Sequence, residues 1–204
     1  MAAQQPFRLT LGSTSPARRY LLEKAGYQFE VKPANIDEPT HAGYPSPRHL
    51  VEHIAWLKAA AVAPQIEEGI VLTADTVAWR DGEVLAKPAD EADARRILRF
   101  LGGRVHELWT GVCLWRRPDD VQLAWQERTL VHFKALSDAE LDAYLVSRDW
   151  ENNAGGYAIK EDGDPYITIV EGSLSNVIGL PMETTLILLP ALWGLSRPTR
   201  NPPS

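Results

Sequence analysis

The run Ile70-Val-Leu-Thr-Ala-Asp-Thr-Val-Ala-Trp79 is the most strand-like stretch of this chain, and Asp81-Gly82 follows one residue later. An Asp-Gly pair after a strand favours a tight hairpin, so a sheet built on this run has an antiparallel neighbour. Around it, strand and helix signals alternate. Residues 7–11 and 27–31 read as short strands, residues 105–115 and 123–133 as strands about the turn Arg117-Pro-Asp-Asp120, and residues 166–170 as one more. Ser15-Pro16 and Ser46-Pro47 each look like a helix start, an N-cap residue with proline at the first helical position. Asp90 caps a third helix, and Ser137 with Glu140 forms a capping box for a fourth. Pro181 opens a last helix, expected to run to about Leu189. Leu50, Ile54, Leu57 and Ala61 supply the apolar stripe of the second helix. Helices beside a sheet with an antiparallel hairpin give an α/β fold with a mixed sheet, not a purely parallel one.

A chain of 204 residues can bury a substantial core, and no shift in composition marks a linker. One domain over residues 1–196, with two lobes sharing a sheet, is expected, followed by a frayed proline-rich tail at 197–204. The net charge of −6 argues against a duplex nucleic-acid surface, which needs a basic excess. Cys113 is the only cysteine, so no intramolecular disulfide or cysteine metal cluster exists, and a cytoplasmic setting fits. The first residues lack the pattern of a signal peptide, and no apolar run reaches membrane-spanning length.

Several pieces can carry chemistry. In Leu11-Gly-Ser-Thr-Ser-Pro-Ala-Arg-Arg19 a strand gives way to a helix start, whose free N–H groups favour an anion. Ser13 and Ser15 add hydroxyl donors. Arg18 and Arg19 oppose the helix dipole, which makes sense if they grip phosphate; otherwise they are solvated. Asp75 lies inside an apolar, β-rich run. It is either a buried general base or metal ligand in a cleft, or a solvent-facing residue on an edge strand. Asp37-Glu38 in a loop, Lys58 on a helix face and Lys87 before Pro88 say little singly. His49 and His53 read as surface residues, His106 as a structural hydrogen-bonding group, and Trp150 as a possible border for a nucleobase.

Read together, these pieces resemble the Maf family of nucleoside triphosphate pyrophosphatases. The matching stretches are Ser13-Thr-Ser-Pro-Ala-Arg-Arg-Tyr-Leu-Leu22, Ile36-Asp-Glu38, Lys58-Ala59, Ala74-Asp-Thr-Val77 and Lys87-Pro88. They continue with Leu101-Gly-Gly, His106, Thr110-Gly111, Ala154-Gly-Gly-Tyr157, and Gly172-Ser followed by Asn176-Val-Ile-Gly-Leu-Pro181. The resemblance implies an elongated mixed sheet with flanking helices, like that of inosine triphosphate pyrophosphatases. Two lobes would enclose a central nucleotide cleft, usually in a homodimer. It implies cleavage between the α- and β-phosphates of a nucleoside triphosphate, with a divalent cation such as Mg, Mn or Co. Position by position, Asp75 would accept a proton from the attacking water, Ser13, Arg18, Lys58 and Lys87 would hold the triphosphate, and Glu38 with Asp75 would bind the metal. The branch acting on dTTP and UTP is marked by Arg after Ser-Pro, Thr after the catalytic Asp and Gln after Gly-Tyr. The branch acting on 7-methyl-GTP has Trp, Gln and Glu there. Here these positions are Ala17, Thr76 and Lys160, so only Thr76 matches, and it leans to the pyrimidine branch. The family's Asp-Lys before Ala-Gly is Asn152-Asn153 here. The name of the family is also linked to septum formation, so a nucleotide-binding regulator of cell division with vestigial hydrolysis is the alternative.

Overall fold

The computed structural model describes residues 5–39, 41–159 and 164–195. In chain order the elements are β1 (Leu9–Leu11), α1 (Pro16–Lys24), β2 (Glu30–Val31), α2 (Pro47–Val62), β3 (Gly69–Arg80), β4 (Glu83–Leu85) and α3 (Glu91–Leu101). They continue with β5 (Arg104–Arg117), β6 (Val121–Phe133), α4 (Asp138–Ser147), β7 (Ile167–Glu171), α5 (Leu174–Ile178) and α6 (Met182–Gly194). The strands form one seven-stranded sheet in the order β2-β1-β3-β5-β6-β7, with β4 also on β3. β1 is parallel to β2 and β3, and the remaining pairs are antiparallel. The expected mixed α/β sheet is therefore what forms. At the β3–β4 turn Asp81 and Gly82 take φ of 49° and 88°, the tight hairpin turn that an Asp-Gly pair tolerates.

Local capping chemistry fixes the starts of α1, α3 and α4, whereas Ser46 precedes Pro47 at the start of α2 without a side-chain capping bond. Ser15 accepts from the Arg18 N–H, Asp90 from the Asp93 N–H, and Ser137 with Glu140 closes both bonds of its capping box. α6 runs past Pro190, beyond the expected end at Leu189. That proline deprives only the carbonyl of Leu186, a residue open to water, of its helical donor. The carbonyls of Leu192, Trp193 and Leu195 at the far end are held by the guanidinium of Arg116, which is fully buried and paired with Asp119.

The two faces of the sheet are covered differently. On one face lies α2, packed over β3 and β5. Its buried stripe is Leu50, Val51, Ile54, Ala55, Ala59 and Val62, whereas Leu57 and Ala61 are only half-buried. The stripe rotates from the expected one because small residues must meet the strands. A Cβ on Gly111 would stand 2.3 Å from the main chain of Val51, so helix and strand touch backbone to backbone. The opposite face carries two apolar clusters. One joins β1, α1 and α6 through Leu11, Leu22, Leu72, Leu114 and Leu189; the other joins α3, α4 and β7 through Ile97, Leu101, Phe133, Leu145 and Ile167. The tail at 197–204 lies outside the described residues.

Candidate active site

Pairing along one edge of β3 is interrupted. β1 pairs with it as far as Leu72 and β4 from Ala78 onward. Between them the edge opens into a cleft of about 880 Å³, lined from both ends of the sheet. Asp75, Thr76 and Val77 form its floor. Asp75 thus stands mid-strand in an interior strand, 8 % exposed, which rules out the solvent-facing edge position. Alternation sends Asp75 and Thr76 to opposite faces, yet both reach the cleft because it wraps around the open edge.

On the α2 face, Lys58 donates to Asp75 Oδ1 at 2.8 Å and lies 2.8 Å from Glu38 Oε1. A helix crossing the strand, held close at Gly111, brings that ammonium over Asp75. Lys58 and Asp75 are nearly buried while Glu38 is half open, so the carboxylate pair has a dry end and a wet end. One ammonium bridges both carboxylates, so both are in reach of a single cation. Among the described residues no group of three or more His, Cys, Asp or Glu could hold a metal ion by itself. Asp37 is exposed and does not line the cleft.

The wall beside them is the start of α1. Ser13 Oγ accepts from the Ser15 N–H at 3.2 Å and from Arg18 Nη1 at 3.3 Å. Both its lone pairs are engaged, so its own hydrogen is left to donate. Ser15 Oγ caps the helix, and Ser15 and Ala17 also line the cleft. Arg18 extends across the helix start, donating from Nε to the Gly179 carbonyl at 2.8 Å and from Nη2 to Thr76 Oγ1 at 3.1 Å. Burial pulls its pKa below the ordinary arginine value, while the charges of Asp75 and Glu38 act the other way. Arg19 is exposed and is not part of the cleft, although the sequence pairs it with Arg18.

The facing wall carries Lys87, exposed at the end of the β4 hairpin, with Asn152, Asn153 and Tyr157. The Gly155 N–H donates to the Ala86 carbonyl, tying the Asn152–Tyr157 turn to the segment that presents Lys87. Tyr157 is hydrogen-bonded to His106 Nε2 at 2.6 Å. His106 is buried, which with the positive charges of Arg80 and His132 lowers its pKa to about 4. It is neutral and structural, as its sequence context suggests. Trp150 does not border the cleft: its indole donates to the Leu145 carbonyl and packs in the α3–α4 cluster. Lys160 lies outside the described residues.

The structure gives contacts to motif residues to which the sequence assigns no role. Thr110 and Asn176 stand behind Thr76, and Gly179 offers a carbonyl to Arg18. The Gly172–Pro181 stretch is thereby both a short helix and the brace of the cleft's inner wall. Its Asn176 side chain is fully buried and donates to Thr129 Oγ1 at 3.0 Å.

The sequence profile of the family described as Maf-like protein matches residues 8–192. A dTTP/UTP pyrophosphatase of Anaeromyxobacter sp. (strain Fw109-5) is 46% identical over 186 residues, covering 90% of this chain and 88% of the relative. A dTTP/UTP pyrophosphatase of Rhodopirellula baltica is 40% identical over 187 residues, covering 90% and 82%. The solved structure of the Staphylococcus aureus Ham1 protein shares the fold, with a TM-score of 0.53 at 14% identity over 91% of this chain and 97% of that one.

Proposed function

The chain belongs to the Maf-like protein family, and from that premise we propose that it is a nucleoside triphosphate pyrophosphatase with a preference for dTTP and UTP. It cleaves the bond between the α- and β-phosphates and releases a monophosphate and pyrophosphate. The observation that carries this is the convergence of Asp75, Glu38, Lys58, Lys87, Arg18 and Ser13 on one cleft. A carboxylate able to take a proton stands beside donors that suit phosphate oxygens. Phosphoryl chemistry asks little more of a protein than a positioned water and neutralised charge. The relatives named dTTP/UTP pyrophosphatase support the substrate class.

In this reading Asp75 accepts the proton of the attacking water. Lys58 keeps the Asp75 carboxylate oriented beside Glu38. Ser13, the N–H groups at the start of α1, Arg18 and Lys87 hold the phosphates. Glu38 and Asp75 would hold a divalent cation (Mg, Mn or Co) together with substrate phosphates. One or two carboxylates completed by phosphate oxygens is the usual Mg²⁺ arrangement, so the residues fit. Such a cation neutralises charge on the phosphates and polarises them. A homodimer in the cytoplasm goes with the same reading. The intact set of Asp75, Glu38, Lys58 and Lys87 favours an enzyme over a regulator of cell division, which needs no water-activating carboxylate. The test is a panel of nucleoside triphosphates with product identification. Pyrophosphate and monophosphate from dTTP and UTP support the proposal; orthophosphate with diphosphate as first products overturns it.

A further inference from the structure

The hydrogen bonds behind Thr76 run in one direction. Arg18 Nη2, which can only donate, lies 3.1 Å from Thr76 Oγ1. Thr76 Oγ1 lies 2.9 Å from Thr110 Oγ1, its neighbour across the β3–β5 ladder. Thr110 Oγ1 lies 3.2 Å from the main-chain carbonyl of Asn176, which can only accept. Thr110 is fully buried, so its single hydrogen goes to that carbonyl and its oxygen accepts from Thr76. A charged donor polarising the first hydroxyl reinforces this order along the chain. Thr76 has thereby used its hydrogen and one lone pair. A threonine hydroxyl has one donor and two acceptor positions, so a single lone pair remains. Thr76 is partly exposed and lines the cleft, whereas Thr110 is sealed beneath it.

We infer that Thr110 is a positioning residue for base selection: it fixes the Thr76 hydroxyl as an acceptor toward the cleft. An acceptor there suits the N3–H of uracil and thymine. It opposes cytosine, whose N3 carries a lone pair and no hydrogen. The inference rests on the pyrimidine triphosphate reading above and adds to it the residue that sets the polarity of the contact.

Removing the Thr110 hydroxyl frees the Thr76 hydrogen to turn into the cleft and serve cytosine. The test compares kcat/KM for UTP and CTP in the parent, Thr110→Val and Thr110→Ser, with product identified as pyrophosphate and melting curves recorded. The parent is expected to favour UTP. In Thr110→Val the UTP/CTP ratio falls on the order of tenfold, the scale of one mismatched buried hydrogen bond. Thr110→Ser restores the hydroxyl and the ratio. A merely structural role would lower both nucleotides alike and leave the ratio unmoved, which overturns the inference while leaving the pyrophosphatase reading standing. A parent favouring CTP overturns it too, since Thr76 would then be presenting its hydrogen. A parent releasing no pyrophosphate from any triphosphate overturns both. Should Thr110→Val melt below the assay temperature, Thr110→Cys, whose thiol is a weak acceptor, takes its place: a fall in the UTP/CTP ratio is expected, and an unchanged ratio overturns the inference.

Discussion

Replacing Asp75 with asparagine separates the chemistry of the cleft from its architecture. Lys58 sits 2.8 Å from both Asp75 Oδ1 and Glu38 Oε1, and the Lys58 and Asp75 side chains are each 11% exposed. Deleting one partner of a buried pair outright costs about 3–5 kcal/mol. Asparagine is not such a deletion. Its Oδ1 still accepts from Lys58, and Glu38 still balances the ammonium. What is lost is the difference between a bond with both partners charged and one with a charged donor alone, about 1–2 kcal/mol. For a chain of this size that is a fall in Tm of roughly 2–8 °C. The rate tells a different story, because an amide cannot take a proton from water. Loss of a general base costs about 10²–10⁴-fold, or roughly 2.7–5.4 kcal/mol of barrier. Pyrophosphate release and a thermal melt on the same preparation check both numbers. A folded Asp75→Asn protein turning over within about threefold of the parent would remove Asp75 as the base. A melting point lower by more than about 10 °C would mean that lost rate reports a lost fold.

Other consequences are equally direct. Gly111→Ala places a Cβ 2.3 Å from the Val51 main chain, which no rotamer can relieve. It is expected to lower stability by about 3 kcal/mol and to reduce activity by lifting Lys58 off Asp75; a melt unchanged from the parent would refute the close helix–strand contact. His106 has a folded pKa of about 4 against 6.5 when free, so the unfolded chain binds its proton first as pH falls. Stability from this group is complete above pH 6.5 and is lost down to about pH 4, by roughly 3 kcal/mol. His106→Gln, which can still bond Tyr157, should flatten that part of the stability–pH curve, as denaturant titrations at several pH values would reveal.

Much of the fold was legible because its signals are local. Ser15-Pro16, Asp90, Ser137 with Glu140, and Asp81-Gly82 each state a cap or a turn within four residues, and each forms as read. Where tertiary contacts decide, local reading fell short. α6 continues through Pro190 with its last carbonyls held by Arg116, a residue more than seventy positions away. The five-residue α5 is too short to show a period, and it exists because Asn176 anchors it on β5 and β6. The candidate site follows the same rule. Ser13, Arg18, Glu38, Lys58, Asp75, Thr76 and Lys87 stand out by residue type and motif, and all line one cleft. Residue type could not exclude Arg19 or Trp150, since only the helix phase and the core decide which way they point. Thr110 was visible as part of a motif, but its task depends on neighbours from three other elements.

If a water activated at Asp75 attacks the α-phosphate of a nucleoside triphosphate, the oxygen of that water ends in the monophosphate. Hydrolysis of UTP in ¹⁸O-labelled water, followed by mass spectrometry of the products, tests it most directly. Label is expected in UMP and none in pyrophosphate, with the signal lost in Asp75→Asn. Label in pyrophosphate, or label in orthophosphate released beside UDP, would contradict it.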